Sequence, residues 1–219
     1  MRMSDHMGEG IKAPWDAIVA HQLKTPLCAM DADLRTAKTV DKAKLRQEIS
    51  RLTQLIDQIQ LFARCRGEDV DQRKDLSLGD AVGTVVTELA PLACDRGLTM
   101  IFRDLSRGCM IRADPVLADE AIRNVVENAI KYSPAKGIIN AITMSNGHVC
   151  ILDRGPGVPA IDREAVFEPF RRGSSDRPGA GLGLFLVREI MRHENGHAML
   201  YTRRGGGSAA VLGFECAAG

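Results

Sequence analysis

From Ile11 to about Val40 the apolar positions recur at helical spacing. Leu23, Leu27, Met30, Leu34 and Ala37 step by four and three, a heptad-type stripe. A second stretch from Asp41 to Arg66 repeats the pattern with Leu45, Ile49, Leu52, Ile56, Ile59 and Ala63, and Leu55 and Phe62 widen its apolar face. The link between them, around Thr39-Val40-Asp41, is short, which predicts an antiparallel helical hairpin with Asp41 as the second N-cap. Two helices with wide apolar faces cannot bury both faces alone. Pairing with the same hairpin of a second chain gives a four-helix bundle, so a homodimer is expected.

Beyond the hairpin the pattern changes. Residues 64–80 are polar and break the periodicity, as a linker leading to a capped helix start would. Residues 78–97 read as a helix weakened at Gly83 and Pro91, residues 98–105 and 109–115 as strands, and residues 116–133 as a strongly amphipathic helix. A hairpin is expected around Asn146-Gly147. A glycine-bearing loop then enters a helix over 182–195 with Gly196 as its stop, and a last hairpin closes across a glycine-rich turn. The expected fold class is therefore α followed by α/β: a helical hairpin forming a dimeric bundle, then an α/β sandwich. The expected division is a flexible start at 1–10, the helical domain at 11–66, a linker at 67–77 and the α/β domain at 78–219.

Composition narrows the function classes. The chain has 219 residues, 45% of them hydrophobic, and a formal net charge of +1. No overall field selects nucleic acid or an acidic membrane, so neither is an expected partner, and local sites must carry the function. No apolar run approaches the roughly 20 residues that cross a bilayer. The expected setting is the cytoplasm, either for a free chain or for the soluble part of a membrane-anchored sensor. The six cysteines have no metal-binding spacing and read as free thiols in a reducing compartment, with Cys28 or Cys65 as the candidate redox sensor.

Five short stretches carry candidate chemistry. In "HQLKTPL" (21–27), His21 lies two residues before Leu23, about 200° around the helix, and so faces away from the apolar seam. Pro26 removes the helical partner of the Gln22 carbonyl and permits a bend there. Asn124 and Asn128, four apart on the amphipathic helix, emerge on one face, with Lys131 and Tyr132 on the next turn. An asparagine oxygen suits Mg²⁺, and a lysine supplies a point charge for phosphate. Asp153 ends an apolar strand beside Gly155 and Gly157, where a carboxylate can accept from an adenine amine and glycines let backbone approach a flat ring. Gly179, Gly181 and Gly183 precede and enter a helix, an arrangement of amides suited to polyphosphate. Between the last two lies "FEPFRRG", whose Arg171 and Arg172 are suited to close on phosphates and whose Phe170 is an apolar anchor.

Each element is modest alone, but their order resembles the sensor histidine kinases of two-component signalling over nearly the whole chain from Trp15. "HQLKTPL" looks like the phosphoacceptor box, "NVVENAIKYSP" the N box, "DRGPGVP" the first glycine box, "FEPFRR" the F box and "GAGLGL" the second glycine box. The resemblance implies a dimerisation and histidine phosphotransfer domain followed by a Bergerat-type ATP-binding domain shared with gyrase, Hsp90 and MutL. It implies Asn128 as the Mg²⁺ ligand, Asn124 and Lys131 near the phosphates, Tyr132 at the rim and Asp153 on the adenine. Gly179, Gly181, Leu182, Gly183 and Leu184 fall in or beside the ATP lid, and Ser208 loosely matches a hydroxyl position near adenine. The implied reaction is autophosphorylation of His21 by Mg-ATP, then transfer to an aspartate of a response regulator.

One position departs from the pattern. The family usually places Glu or Asp directly after the histidine, and here it is Gln22. Gln cannot act as a base, but its carbonyl can accept the Nδ1 proton and fix the tautomer, and kinase activity is expected to survive. Thr25, one turn on, resembles the residue that orients water in regulator dephosphorylation, a candidate second activity. The rivals are a non-kinase ATPase of the same fold and an ATP-binding or non-catalytic phosphotransferase scaffold. ATPases of this fold use a glutamate where this chain has Asn124, which argues against the first. The intact Asn128, Asp153 and lid glycines argue against the second.

Overall fold

The computed structural model describes residues 12–36, 41–66, 72–171 and 181–217. Two compact units divide the chain, Met1–Ile59 and Gln60–Gly219.

In the first unit, helix α1 (Lys12–Thr36) runs through Pro26, and helix α2 (Lys42–Arg66) begins there and ends in the second unit. Asp41 caps α2, its Oδ1 accepting from the amides of Ala43 at 2.9 Å and Lys44 at 3.2 Å. Leu55 and Pro26 are buried, while the seam residues Leu27, Leu34, Ile49 and Ile56 are each about half exposed. Helices carrying such a stripe in water still have apolar surface to cover. Among the described residues no helix is long and apolar enough to cross a membrane.

The second unit is an α/β layer. Strand β1 (Lys74–Ser77) pairs antiparallel with β3 (Met110–Ala113). The main sheet has five strands in the order β2-β4-β5-β7-β6, formed by Thr99–Leu105, Ile138–Met144, His148–Leu152, Ser208–Gly213 and His197–Thr202 respectively. Among the described residues of this sheet, only β2 and β4 run parallel. Helices α3 (Leu78–Asp95), α4 (Pro115–Tyr132) and α5 (Gly183–His193) supply the other layer. The amphipathic pattern of α4 does its expected work: Leu117, Ala121, Ile122, Val125, Val126, Ala129 and Ile130 are all buried. Burial of each large aliphatic side chain contributes about 1.5–3 kcal/mol.

Two expectations differ from the structure. Residues 74–77, read as linker, form β1: the polar run "KDLS" takes its order from β3 rather than from its own propensity. The stop of α5 is Asn195, which takes the left-handed conformation at φ 56°, and not Gly196. Gly196 is needed for room instead, because a Cβ there would run into the Gly213 carbonyl.

A charged cluster fastens the end of α2 within this unit. Asp114 caps α4 by accepting from Val116 N at 2.9 Å, and its second oxygen accepts from Arg64 at 2.6 Å. The amide of Asp114 donates to Glu194 Oε2 at 3.2 Å, and Arg73 lies 4.0 Å from the same oxygen. Phe62 of α2 packs on Phe185 of α5 with ring centroids 5.3 Å apart.

Glu194 is fully buried, and burial pushes its carboxyl above the ordinary value despite the Asp114 amide and the His193 and Arg73 charges. In the unfolded chain the group ionises at the ordinary value, about 4.5, so above that pH the folded state holds more protons. Stability from this residue is therefore present at low pH and is lost as pH rises through the folded value. Glu194→Gln cannot ionise and is expected to gain stability relative to wild type between pH 4.5 and neutrality. Urea unfolding of both proteins across that range checks this, and parallel curves would contradict it.

Candidate functional site

The α4–α5 face and the ends of β5 and β7 bring together residues that the sequence separates by up to 84 positions. Asn124 leads this group. Its Nδ2 donates to the Glu120 carbonyl at 3.0 Å and to Glu120 Oε1 at 2.8 Å. With the amide hydrogens directed back along α4, Oδ1 faces the start of α5. A Cβ on Gly183 would lie 2.7 Å from Asn124 Oδ1 and 3.9 Å from Asn128 Nδ2. Glycine at the first residue of α5 thus admits the two asparagines against the amide-bearing end of that helix. Burial raises the carboxyl of the half-buried Glu120 above the ordinary value, with the Asn124 hydrogen bond opposing the shift.

Asp153 anchors the other side. It is buried, its Oδ1 accepts from Gly155 N at 2.7 Å and Ser208 N at 3.0 Å, and its own amide donates to the Ser208 carbonyl at 3.0 Å. Arg203 donates to the Asp153 carbonyl at 2.6 Å. Two backbone donors on one oxygen fix the carboxylate and leave Oδ2 for another donor. The approach is tight. A Cβ on Gly155 would stand 2.7 Å from the Tyr132 carbonyl, and one on Gly207, at φ 95°, would run into the Asp153 carbonyl. Gly157 also takes a positive φ, 76°, next to Gly207. Tyr132 is half-buried, with Lys131 Nζ 5.1 Å from its ring centre.

The phenylalanine loop meets the glycine segment directly: Phe170 N donates to the Gly181 carbonyl at 2.9 Å, and both residues hold positive φ. Phe167 is buried, and Arg171 pairs with Glu168 at 3.2 Å on the surface. Leu182 is buried at the α5 N-cap and Leu184 is half-buried. Arg172 and Gly179 lie outside the described residues. His21 and Gln22 fall on α1, with their side chains outside the described residues, and Thr25 is exposed on the same helix.

The structure therefore gathers Asn124, Asn128 and Gly183 at one place, and Asp153, Gly155, Gly157, Tyr132 and Ser208 at another on the same unit. Sequence reasoning missed Glu120, Arg203 and Gly207, which hold the chosen residues in place. Only Gly207 had a signal, the Gly205-Gly206-Gly207 run.

An oxygen-donor metal and a nucleotide both fit these residues. The asparagine side chains offer hard oxygens of the kind Mg²⁺ takes. The Asp153 carboxylate, held by amides in a cradle that a Cβ on Gly155 would fill, suits an exocyclic amine.

Residues 113–217 match the model of the histidine kinase-, DNA gyrase B- and HSP90-like ATPase family. Over 93% of its length the chain is 31% identical to 57% of the sensor-like histidine kinase SenX3 of Mycolicibacterium smegmatis. Over 86% of its length it is 28% identical to 49% of the sensor protein CutS of Streptomyces coelicolor. The chain thus spans about half the length of these curated relatives. In fold it resembles the histidine kinase AdeS of Acinetobacter baumannii, with a TM-score of 0.70 over 89% of this chain and 97% of that one at 19% identity. The ATP-binding domain of PrrB from Mycobacterium tuberculosis aligns with a TM-score of 0.54 and 25% identity, over 68% of this chain and all of that one.

Proposed function

We propose that this chain, a sensor histidine kinase core, phosphorylates itself on His21 with ATP and passes the phosphoryl group to an aspartate of a response regulator. The observation that carries the reading is the pair of prepared sites on one unit: a buried, amide-held Asp153 and an asparagine pair facing the first glycine of α5.

Asp153 Oδ2 accepts from the adenine amino group, and Gly155 and Gly157 let the ring approach backbone. Tyr132 and Ser208 border it. Asn128 holds Mg²⁺, Lys131 receives phosphates, and Asn124, its amide hydrogens given to Glu120, lies near them with its oxygen outward. The amides around Gly179, Gly181, Leu182, Gly183 and Leu184 wrap the chain of phosphates, and Phe170, Arg171 and Arg172 close over it. The metal supplies charge neutralisation on the phosphoryl oxygens. Residue by residue, the chain's own work is to bind, orient and exclude water. His21 contributes the nucleophile. A neutral imidazole carries a free lone pair, and Nε2 attacks the terminal phosphorus as the bond to the bridging oxygen breaks and ADP leaves, while the Gln22 carbonyl accepts a hydrogen bond from Nδ1–H and fixes the tautomer. Thr25 is placed to serve a second step, dephosphorylation of the regulator.

The helical part, 11–66, is the dimerisation and phosphotransfer segment, 67–77 the linker, whose last four residues form β1 against β3, and 78–219 the ATP-binding domain. The half-exposed stripe of Leu27, Leu34, Ile49 and Ile56 supports dimerisation into a four-helix bundle, since a partner hairpin would cover it. A receiver domain is the expected partner of the surface near His21.

The reading is tested with purified protein, Mg²⁺ and ATP labelled on its terminal phosphate. The expected label is lost in acid and kept in base, and passes to a receiver domain. ATP binding without any label would favour the scaffold alternative instead. Within the site, Gly183→Ala is expected to weaken ATP binding about 10-fold or more, because the new methyl displaces an Asn124 whose amide is pinned. Calorimetric titration reads the change, and an unaltered Kd would contradict the placement of Asn124.

A further inference from the structure

Six cysteines are scattered through the chain with no paired spacing, yet the fold brings two of them together. Cys109 precedes β3, and Cys216 lies in the C-terminal segment, 107 positions away, with the two Sγ atoms 3.5 Å apart. The approach is built by the backbone. Residues 215–217 add to the free edge of β3: Ile111 pairs with Cys216, Arg112 N donates to the Glu215 carbonyl at 3.1 Å, and Ala217 N donates to the Met110 carbonyl at 2.8 Å. Phe214, buried, ties the segment to the β4–β5 turn, its amide donating to the Gly147 carbonyl at 3.0 Å. Gly147 makes room for the pair. A Cβ there would lie 3.2 Å from Cys216 Sγ. The sulfurs thus lie close at an edge already held by backbone hydrogen bonds, and closing a bond of about 2.05 Å brings them about 1.5 Å nearer.

We propose that Cys109 and Cys216 form an oxidisable dithiol that a hydroperoxide converts to a reversible disulfide. Cys216 is exposed and Cys109 is half-buried, which assigns the order of events. The Cys216 thiolate attacks the hydroperoxide, breaking its O–O bond, taking the terminal oxygen as a sulfenic acid and releasing an alcohol, or water when the oxidant is hydrogen peroxide. Cys109 then attacks the Cys216 sulfur and expels the hydroxyl as water. The net change is two thiols and one hydroperoxide to one disulfide, one alcohol and one water, with two electrons passing from sulfur to oxygen. Burial raises the Cys109 thiol above the ordinary value, followed by its contact with Cys216, while the Gly147 amide acts in the opposite direction. That order suits Cys109 to the second, intramolecular step.

The other candidates are less suited. Cys65, at the end of α2, is half-buried and its thiol is pushed up to about 12 by burial, then by Glu189, Glu194 and Asp114. It stays protonated and unreactive at neutral pH. Cys28, on α1, is exposed with no second sulfur recorded beside it among the described residues. The dithiol also lies away from the nucleotide elements: β5 separates Gly147 from Asp153, a span of about 20 Å along an extended strand. Oxidation is therefore expected to staple the C-terminal segment to β3 without touching the ATP-binding groups.

The experiment treats the reduced full chain with one equivalent of hydrogen peroxide, blocks remaining thiols, and maps peptides without reductant. The expected product is a single linked peptide pair containing Cys109 and Cys216, restored to two thiols by dithiothreitol. The oxidised protein should melt about 5–10 °C higher, since the bond closes a long loop in the unfolded chain. Cys109→Ser should leave Cys216 at the sulfenic acid, captured by a 1,3-dione probe, and should abolish the melting shift. Recovery of both cysteines as blocked thiols while other cysteines oxidise would overturn the proposal, as would linkage of either one to a different cysteine. The wild-type map decides the matter even where a serine variant folds poorly.

Discussion

Alanine at position 21 is expected to reduce phosphoryl label from ATP to background, a loss of at least about 100-fold, with ATP affinity unchanged. The effect is large because the substitution removes the nucleophile itself rather than a group that assists it. Four other histidines are present: His6, which lies outside the described residues, His148 and His197 on β5 and β6 with ring centroids 5.2 Å apart, and His193, 3.8 Å from the buried Glu194. Retention of label in His21→Ala would place the acceptor elsewhere. A fall in ATP affinity would mean that the substitution damages the ATP-binding unit instead.

Asn in place of Asp153 is expected to weaken ATP binding about 10- to 100-fold, the worth of one charge-assisted hydrogen bond. This substitution isolates the ligand contact from the fold. The amide oxygen of Asn can still accept from Gly155 N and Ser208 N, which Oδ1 serves in the native protein. The other atom changes from an acceptor to an NH₂ donor and then opposes the adenine amine. Calorimetric titration with ATP and with a purine lacking that amine measures the discrimination, and near-ultraviolet circular dichroism confirms that the fold persists. An equal loss for both purines, or an unchanged Kd for ATP, would remove Asp153 from adenine recognition.

Much of the architecture was legible because its signals are local. Asp41 caps α2 through two backbone donors, and the apolar face of α4 is buried residue by residue. Turn chemistry at Asn146-Gly147 marked the β4–β5 hairpin. What escaped the reading is held by distant partners. Strand β1 has a polar sequence and owes its conformation to β3. Asn195 rather than Gly196 ends α5, because Gly196 is required by the nearness of Gly213.

The same division runs through the site. The paired asparagines and the glycine-flanked Asp153 stand out in sequence by spacing. Their supports do not: Ser208 reaches Asp153 from 55 positions away, Arg203 from 50, and Glu120 fixes Asn124 through a bond that composition cannot reveal. The Cys109–Cys216 contact spans 107 positions and depends on a C-terminal segment joining a strand edge. A buried glutamate such as Glu194 is contrary to what its residue type suggests, and only the packing of Asp114, Arg73 and His193 around it shows why it is there.

The central claim is that ATP phosphorylates one residue, His21. The most direct measurement is mass-spectrometric mapping of the protein after brief exposure to Mg-ATP, with digestion kept at alkaline pH to preserve phosphohistidine. The predicted result is one phosphoryl group, on the peptide containing His21, with His6, His148, His193 and His197 unmodified. Phosphate on any other residue while His21 stays free, or ATP turnover with no phosphoprotein formed, would contradict it.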